Sequence, residues 1–459
     1  MRNLTADIAQ FLASIDFGQL PEAALPLVRN AFTDTVAVMM VGTDQPVVDI
    51  VRRTLVEPAG AQEARACLSS HRVKAPDAAL LGGASAHSLD FDDQSLSGHP
   101  SAVLVPAILA EGEALGSSGR ELVTAYVAGY EVWCELWRRD KNYHRKGWHP
   151  TPVLGTIAAA AATAVLHKLP KDRIAAALSI AASHAGGLAA NFPSMTKGYH
   201  AGMAARNGLI SVRLAAAGLT GSDSALENPQ GFLTAFSADN APDRDAPVQL
   251  GIEWYLPKHS LLVKRYPTCY FMHRSFEATV KMLEGKGITG DDIETVEVKM
   301  GRGQTTVLVN HQPTTRYAAQ FSGEFAIAAA VLMGKMGVTE LTDAVVQRAD
   351  MQAFYPKVKL TPLDEQDPRD PVFSPTETVT IKLHNGTVLE SGPIETIRGH
   401  ASDPLTTEEL WQKFAACTEK THTQAAAKEL FTLLQSVDTL SSARDVPTCR
   451  SVFGDRSDV

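Results

Sequence analysis

Apolar residues recur at three-and-four spacing from the amino-terminus to about residue 265, with breaks at Gly, Pro and Ser clusters, and this periodicity predicts helix after helix. Several starts are marked. Ser118-Gly119-Arg120-Glu121 has capping-box spacing ahead of a helix over Leu122 to Trp133, and Pro150 and Pro152 stand where the first turn of a Val153 to Leu166 helix should begin. The segments 78–88, 156–165, 181–190 and 201–217 are rich in Ala and Gly, so their helices are expected to pack closely. Around residue 290 the texture changes: Ile293 to Met300 and Thr378 to Leu383 alternate polar with β-branched residues. The second of these runs through His384-Asn385-Gly386-Thr387 into Val388-Leu389-Glu390, a hairpin pattern. Helical stretches lie between them, near 318–335 and 340–354, and the helical pattern returns after Gly399-His400 with Thr406-Thr407-Glu408-Glu409 as a cap. The pattern predicts a mainly α protein. A large all-α helical domain covers 1–265, with part of 400–459 expected to rejoin it, and a smaller α+β domain covers 266–400. The tail from Arg450 to Val459 reads as loosely ordered.

A chain of 459 residues buries a large core, and 45% hydrophobic with 20% charged residues is the composition of an ordinary soluble protein. The net charge of −9 and scattered basic residues exclude a nucleic-acid stripe. Cys67, Cys134, Cys269, Cys417 and Cys449 are far apart and odd in number, unlike the close pairs of zinc or redox sites, so reduced buried thiols are expected. The start, Met1 to Asp7, runs straight into an amphipathic helix without a signal-peptide pattern, and the expectation is a cytoplasmic protein. The Ala-rich run Ile157 to Leu166 is too short to span a bilayer and is closed by His167-Lys168, so no membrane partner is expected.

Candidate chemistry concentrates in Gly82 to Ser101, where a small-residue helix ends on Asp90, Asp92 and Asp93 and a new helix starts at His99-Pro100. The plain reading of the aspartates is a solvated helix end with capping carboxylates. A metal-dependent α-bundle synthase would need an Asp at Leu96 and a second acidic cluster, so no metal is expected. His99 and His149 share a context: each follows a Gly within two residues, precedes a Pro and opens a small-residue helix. A helix amino-terminus disfavours imidazolium and attracts carboxylates, so either ring could be a base or could merely fill a capping pocket. Lys197 lies in a loop expected to lead into an Ala201 to Ala217 helix, where it could neutralise a carboxylate or simply be solvated. Lys264-Arg265-Tyr266-Pro267 and His273 stand where the texture changes, as a cleft or as a basic linker. Nucleophile-elbow, His-Glu-x-x-His and phosphate-loop motifs are missing, so no nucleotide cofactor is supported.

Ala86-His87-Ser88-Leu89-Asp90-Phe91-Asp92-Asp93, Gly98-His99-Pro100-Ser101, Gly147-Trp148-His149-Pro150-Thr151, Met195-Thr196-Lys197 with Ala204-Ala205-Arg206-Asn207-Gly208, and Lys264-Arg265-Tyr266-Pro267 together resemble the MmgE/PrpD family. Its members include 2-methylcitrate dehydratase, cis-aconitate decarboxylase and iminodisuccinate epimerase. The resemblance covers nearly the whole chain. It implies that the α+β domain is a lid, that the protein is a homodimer, and that no metal or organic cofactor is used. It also implies a polycarboxylate pocket between the domains, with Asp90, His99, His149, Lys197 and His273 as catalytic residues and Gln94, Lys264 and Arg265 binding substrate. Gln94 stands where the decarboxylase branch carries Thr and Phe325 where it carries Tyr, which argues against cis-aconitate decarboxylation. The expected activity is therefore a cofactor-independent lyase on a small di- or tricarboxylate, similar to 2-methylcitrate dehydratase. The alternatives are an epimerase of a substituted succinate and a catalytically inactive helical binding protein.

Overall fold

The computed structural model describes residues 3–56, 60–368 and 372–449. The chain divides into two compact units, Met1–Val263 with Thr406–Val459, and Lys264–Leu405.

The first unit is built from α1 (Leu4–Ser14), α2 (Ala24–Gly42), α3 (Pro46–Leu55), α4 (Ala75–Ala86), α5 (Pro100–Leu115), α6 (Gly119–Arg139), α7 (Pro150–Leu166), α8 (Lys171–His184) and α9 (Met195–Ala216). The Ser118 capping box starts α6, and Pro100 and Pro150 occupy the first turns of α5 and α7, where a missing N–H costs nothing. Small residues let backbones meet. A Cβ on Gly202 of α9 would lie 2.3 Å from the Leu80 carbonyl of α4, so the contact between these helices requires glycine. The helical expectation for 181–190 is corrected: α8 stops at His184, because Gly187 takes φ +142°, open to glycine, and a 3-10 turn follows over Ala189–Asn191. By length and composition α2 could cross a membrane, but it packs against α4 and its apolar window is 67% buried. A two-stranded ribbon, β1 (Ala64–Arg65) with β2 (Arg72–Val73), interrupts the helices.

The second unit carries α10 (His273–Leu283) and α11 (Gly323–Leu332) on a sheet of β3 (Ile293–Gly301), β4 (Val358–Leu363), β5 (Thr378–Leu383) and β6 (Val388–Glu390), in the order β4-β3-β5-β6. Val296, Val298 and Met300 alternate inward, with Val379 and Ile381 buried opposite them. The predicted hairpin joins β5 to β6, with Gly386 at φ +86° in its turn. β4 pairs parallel with β3 at the sheet edge and was not expected, since Lys359 and Pro362 disguise an edge strand. The expected stretches 318–335 and 340–354 are broken into Arg316–Ala319, α11, Asp343–Val346 and Ala349–Phe354, with Thr315, Ser322 and Thr342 capping three of them.

The chain then returns to the first unit in α12 (Thr407–Thr418), started by the Thr406 capping box, and α13 (Gln424–Leu434). α12 packs on α2, where the Lys413 ammonium lies 2.5 Å from the buried Asp34 carboxylate. All five cysteines are buried, and none is joined to another in a disulfide. The tail expected to be loose, Arg450 to Val459, lies outside the described residues.

Candidate active site

The loop between α4 and α5 is short, polar and tied down. Asp90, Leu96 and Ser97 take φ of 51°, 49° and 65°, a left-handed conformation that costs a non-glycine residue energy and that surrounding contacts must hold. Those contacts are visible. Gln94 exchanges both backbone hydrogen bonds with Leu262 at 2.9 Å, Ser95 Oγ lies 2.6 Å from the Tyr130 hydroxyl, and Lys413 Nζ donates to the Phe91 carbonyl at 2.8 Å.

The restraint lines up a relay of buried groups. Asp92 Oδ2 lies 2.9 Å from His87 Nδ1 and 3.0 Å from His99 Nδ1, so one carboxylate orients two imidazoles. His99 Nε2 is 3.5 Å from Asp90 Oδ1, which in turn accepts from Lys197 Nζ at 2.7 Å. His149 stacks on His87 with ring centroids 5.6 Å apart, meets Phe192 edge-on, and places Nδ1 3.2 Å from His200 Nδ1. The two His-Pro corners touch, because the His99 N–H donates to Thr151 Oγ1 at 3.2 Å. Neither histidine caps its own helix, so the capping-pocket alternative is not realised.

Lys197 corrects its expected setting: α9 begins at Met195, capped by Ser194, and the lysine is a buried first-turn residue paired with Asp90 instead of a loop cation. Burial, followed by the nearby His87, Lys197, His200 and His99, holds the His149 imidazolium well below the ordinary range. Burial also lowers His87 to about 4 against the pull of Asp92, and lowers His200 to about 4. Burial works to raise Asp92, yet the His87 and His99 rings keep it well below the usual carboxylate range. Asp93 goes the opposite way, raised by burial and by Asp34, and accepts from Ser101 in a short contact next to the Tyr126 hydroxyl. Two neighbouring carboxyls are thus pushed in opposite directions. Asp92, facing the imidazoles, is pushed toward the ionised form and Asp93, facing the Ser101 and Tyr126 hydroxyls, toward the protonated one.

His87, Asp90, Asp92 and His99 present nitrogen and oxygen atoms within 4.8 Å of one another, a donor set that suits a divalent cation. A metal there would compete with the Lys197 ammonium for Asp90 and with two imidazole N–H groups for Asp92.

A family model described as the MmgE/PrpD N-terminal domain matches residues 6–245, and a second, the MmgE/PrpD C-terminal domain, matches residues 266–439. The chain belongs to the MmgE/PrpD family. Among curated relatives, cis-aconitate decarboxylase of Mus musculus is 30% identical over 79% of this chain and 76% of its own. The Homo sapiens protein of that name is 26% identical over 98% of this chain and 94% of its own. That of Aspergillus terreus is 23% identical over 95% of this chain and 94% of its own.

Of the candidate residues in this MmgE/PrpD chain, Asp90, His99, His149 and Lys197 come together in the first unit, with Gln94 on the same loop. Lys264, Arg265 and His273 belong to the second unit. There His273 opens α10, with Nε2 3.0 Å from Thr268 Oγ1 and its ring edge-on to Tyr266 and Tyr270. Lys264 is buried, whereas Arg265 is half-exposed and turned to Glu277 at 3.2 Å. His87 and His200 were not singled out in the sequence. Their signals are the five-residue spacing of His87 from Asp92, and Lys197-x-x-His200, which puts both side chains on one face of α9.

Proposed function

We propose that this protein is a lyase acting on a small di- or tricarboxylate by moving a proton at a carbon next to a carboxylate, with dehydration of a 2-methylcitrate-like substrate as the first reading. The observation that carries it is a buried imidazole, His149, held toward its neutral form in part by a nearby buried ammonium, Lys197, beside two helix amino-termini. Lys197 and the amino-termini of α5 and α7 attract the substrate carboxylates and stabilise the charge that develops when the neighbouring C–H is broken. His149 takes that proton. His99, between the carboxylates of Asp92 and Asp90, carries the proton that leaves with the hydroxyl as water, while the C–H electron pair becomes the alkene.

Decarboxylation of cis-aconitate is the second reading, favoured by the names of the relatives. It uses the same parts: the C–CO2 bond supplies the electron pair, and an acid protonates the resulting carbanion. Gln94 and Phe325 weigh against it; Phe325 lies in the apolar cluster of the second unit.

The purified protein is offered 2-methylcitrate, citrate, cis-aconitate and substituted succinates in deuterated water, with alkene absorbance, CO2 release and deuterium uptake followed together. Alkene formation from a hydroxy acid supports dehydration, and CO2 from cis-aconitate makes the second reading the activity. Exchange without either product points to an epimerase, and tight tricarboxylate binding without turnover to a binding protein. The homodimer belongs to this proposal, and light scattering that gave a monomer would remove it.

A further inference from the structure

We propose that His200 is a positioning residue that sets the tautomer of His149: its Nδ1 accepts the Nδ1–H of His149, leaving His149 Nε2 with a bare lone pair. The inference rests on the reading of His149 as proton acceptor and adds what makes the ring able to act as one. A neutral imidazole carries a single N–H, and whichever nitrogen bears it cannot take a proton. His149 and His200 meet Nδ1 to Nδ1 at 3.2 Å, with ring centroids 5.4 Å apart. Two lone pairs cannot face each other at that distance, and neither can two N–H groups, so the contact holds one hydrogen. Burial disfavours the cationic form of both rings, which leaves two neutral partners whose tautomers are coupled.

The surroundings hold this geometry. His200 is 5% exposed and sits one turn after Lys197 on α9, so the helix that carries the ammonium also carries the tautomer-setting ring. His149 is fixed from behind, its backbone amide donating to the Gly187 carbonyl at 2.9 Å. Gly187 itself leaves no room for a side chain: a Cβ there would sit 2.5 Å from Pro152 and 3.4 Å from the His200 ring. No hydrogen-bond partner for His149 Nε2 occurs among the described residues, so that nitrogen is the one left for a substrate. With the hydrogen on His200 instead, Nε2 would be protonated and His149 could only donate.

The test reads the tautomer directly. The full-length protein is labelled with 15N-histidine, and long-range 15N–1H correlation spectra are recorded at neutral pH, with His149→Gln used to assign the ring. The expected pattern is a protonated Nδ1 and an unprotonated Nε2 on His149. His200→Leu, which removes the acceptor, is expected to move the proton to Nε2 and lower kcat about 100-fold with KM changed less than threefold. His200→Asn, whose Oδ1 takes the place of the ring Nδ1, should restore the Nδ1–H pattern and most of kcat. A protonated Nε2 in the wild-type spectrum overturns the proposal. So does an unchanged His149 pattern in a folded His200→Leu protein. If that variant does not fold, the wild-type and His200→Asn spectra decide alone. The spectra need no turnover, so an inactive protein with the expected tautomer would count against the lyase reading and not against this one.

Discussion

Asp92 spends one carboxylate on two imidazoles, and that economy makes it the side chain whose loss should be felt most widely. In Asp92→Asn the amide can accept from one ring but presents an N–H to the other, so His87 and His99 can no longer both be oriented. We expect kcat to fall by about 100-fold to 10,000-fold with a smaller change in KM, read from steady-state kinetics on whichever substrate turns over. Lys197→Ala acts differently, since it removes the cation 2.7 Å from the buried Asp90 carboxylate. Both kcat and substrate affinity should drop, the rate by about 100-fold to 1,000-fold, with calorimetric titration separating the two. At this scale the sequence was legible where residues stand at breaks in the pattern. Asp90, His99, His149 and Lys197 mark helix ends or starts, and all four meet. His87 and His200 were not legible because each lies in or beside a run of Ala and Gly that reads as packed core. A histidine there looks like filling until a partner arrives from a distant helix.

Among elements, α12 belongs to the first unit, and its placement has a consequence for the loop before α5. Lys413 is buried, donates to the Phe91 carbonyl, lies 4.1 Å over the Phe91 ring and pairs with Asp34. A helix from the far end of the chain therefore clamps the loop that carries Asp90 and Asp92. Lys413→Met removes the buried ammonium 2.5 Å from Asp34 and should cost about 3–5 kcal/mol of stability in urea unfolding. Combining it with Asp34→Asn should recover part of that loss, because the carboxylate facing the missing ammonium is gone as well. Turnover should stay below wild type in the double variant, since the hold on Phe91 is still missing. Full recovery of both would mean that the lysine serves Asp34 alone. The α and β textures were legible because their periods differ and their caps are explicit at Ser118 and Thr406. β4 and the end of α8 were not, for opposite reasons: an edge strand carries charges and a proline that blur its period, and two glycines stop a helix whose composition would continue it.

On the scale of the whole molecule, buried histidines of the first unit and buried carboxyls of the second store protons in opposite senses. In the first unit burial lowers five histidines, His87, His144, His149, His200 and His259, whereas the unfolded chain takes up protons at all of them as pH falls below about 6.5. Two carboxyls of that unit, Asp93 and Glu131, are raised, the latter to about 7. In the second unit three carboxyls, Glu277, Glu324 and Glu377, are raised by burial, Glu377 to about 7. Between about pH 4.5 and 6.5 these five imidazoles bind more protons unfolded than folded, so they withdraw stability from the first unit on acidification. Each net proton contributes about 1.4 kcal/mol per pH unit. For the three raised carboxyls of the second unit the sign reverses: they bind more protons folded than unfolded, and their protonation adds stability on acidification. Hydrogen exchange, corrected for intrinsic rates, should therefore show peptides of α7 and α9 losing protection from pH 6.5 to pH 5 while peptides of β3 and β5 gain it. Glu377→Gln should abolish most of the gain in β3 and β5 and leave α7 and α9 unchanged. A uniform shift of both sets in one direction would mean that the units unfold as a single cooperative body, with the five imidazoles of one offsetting the carboxyls of the other.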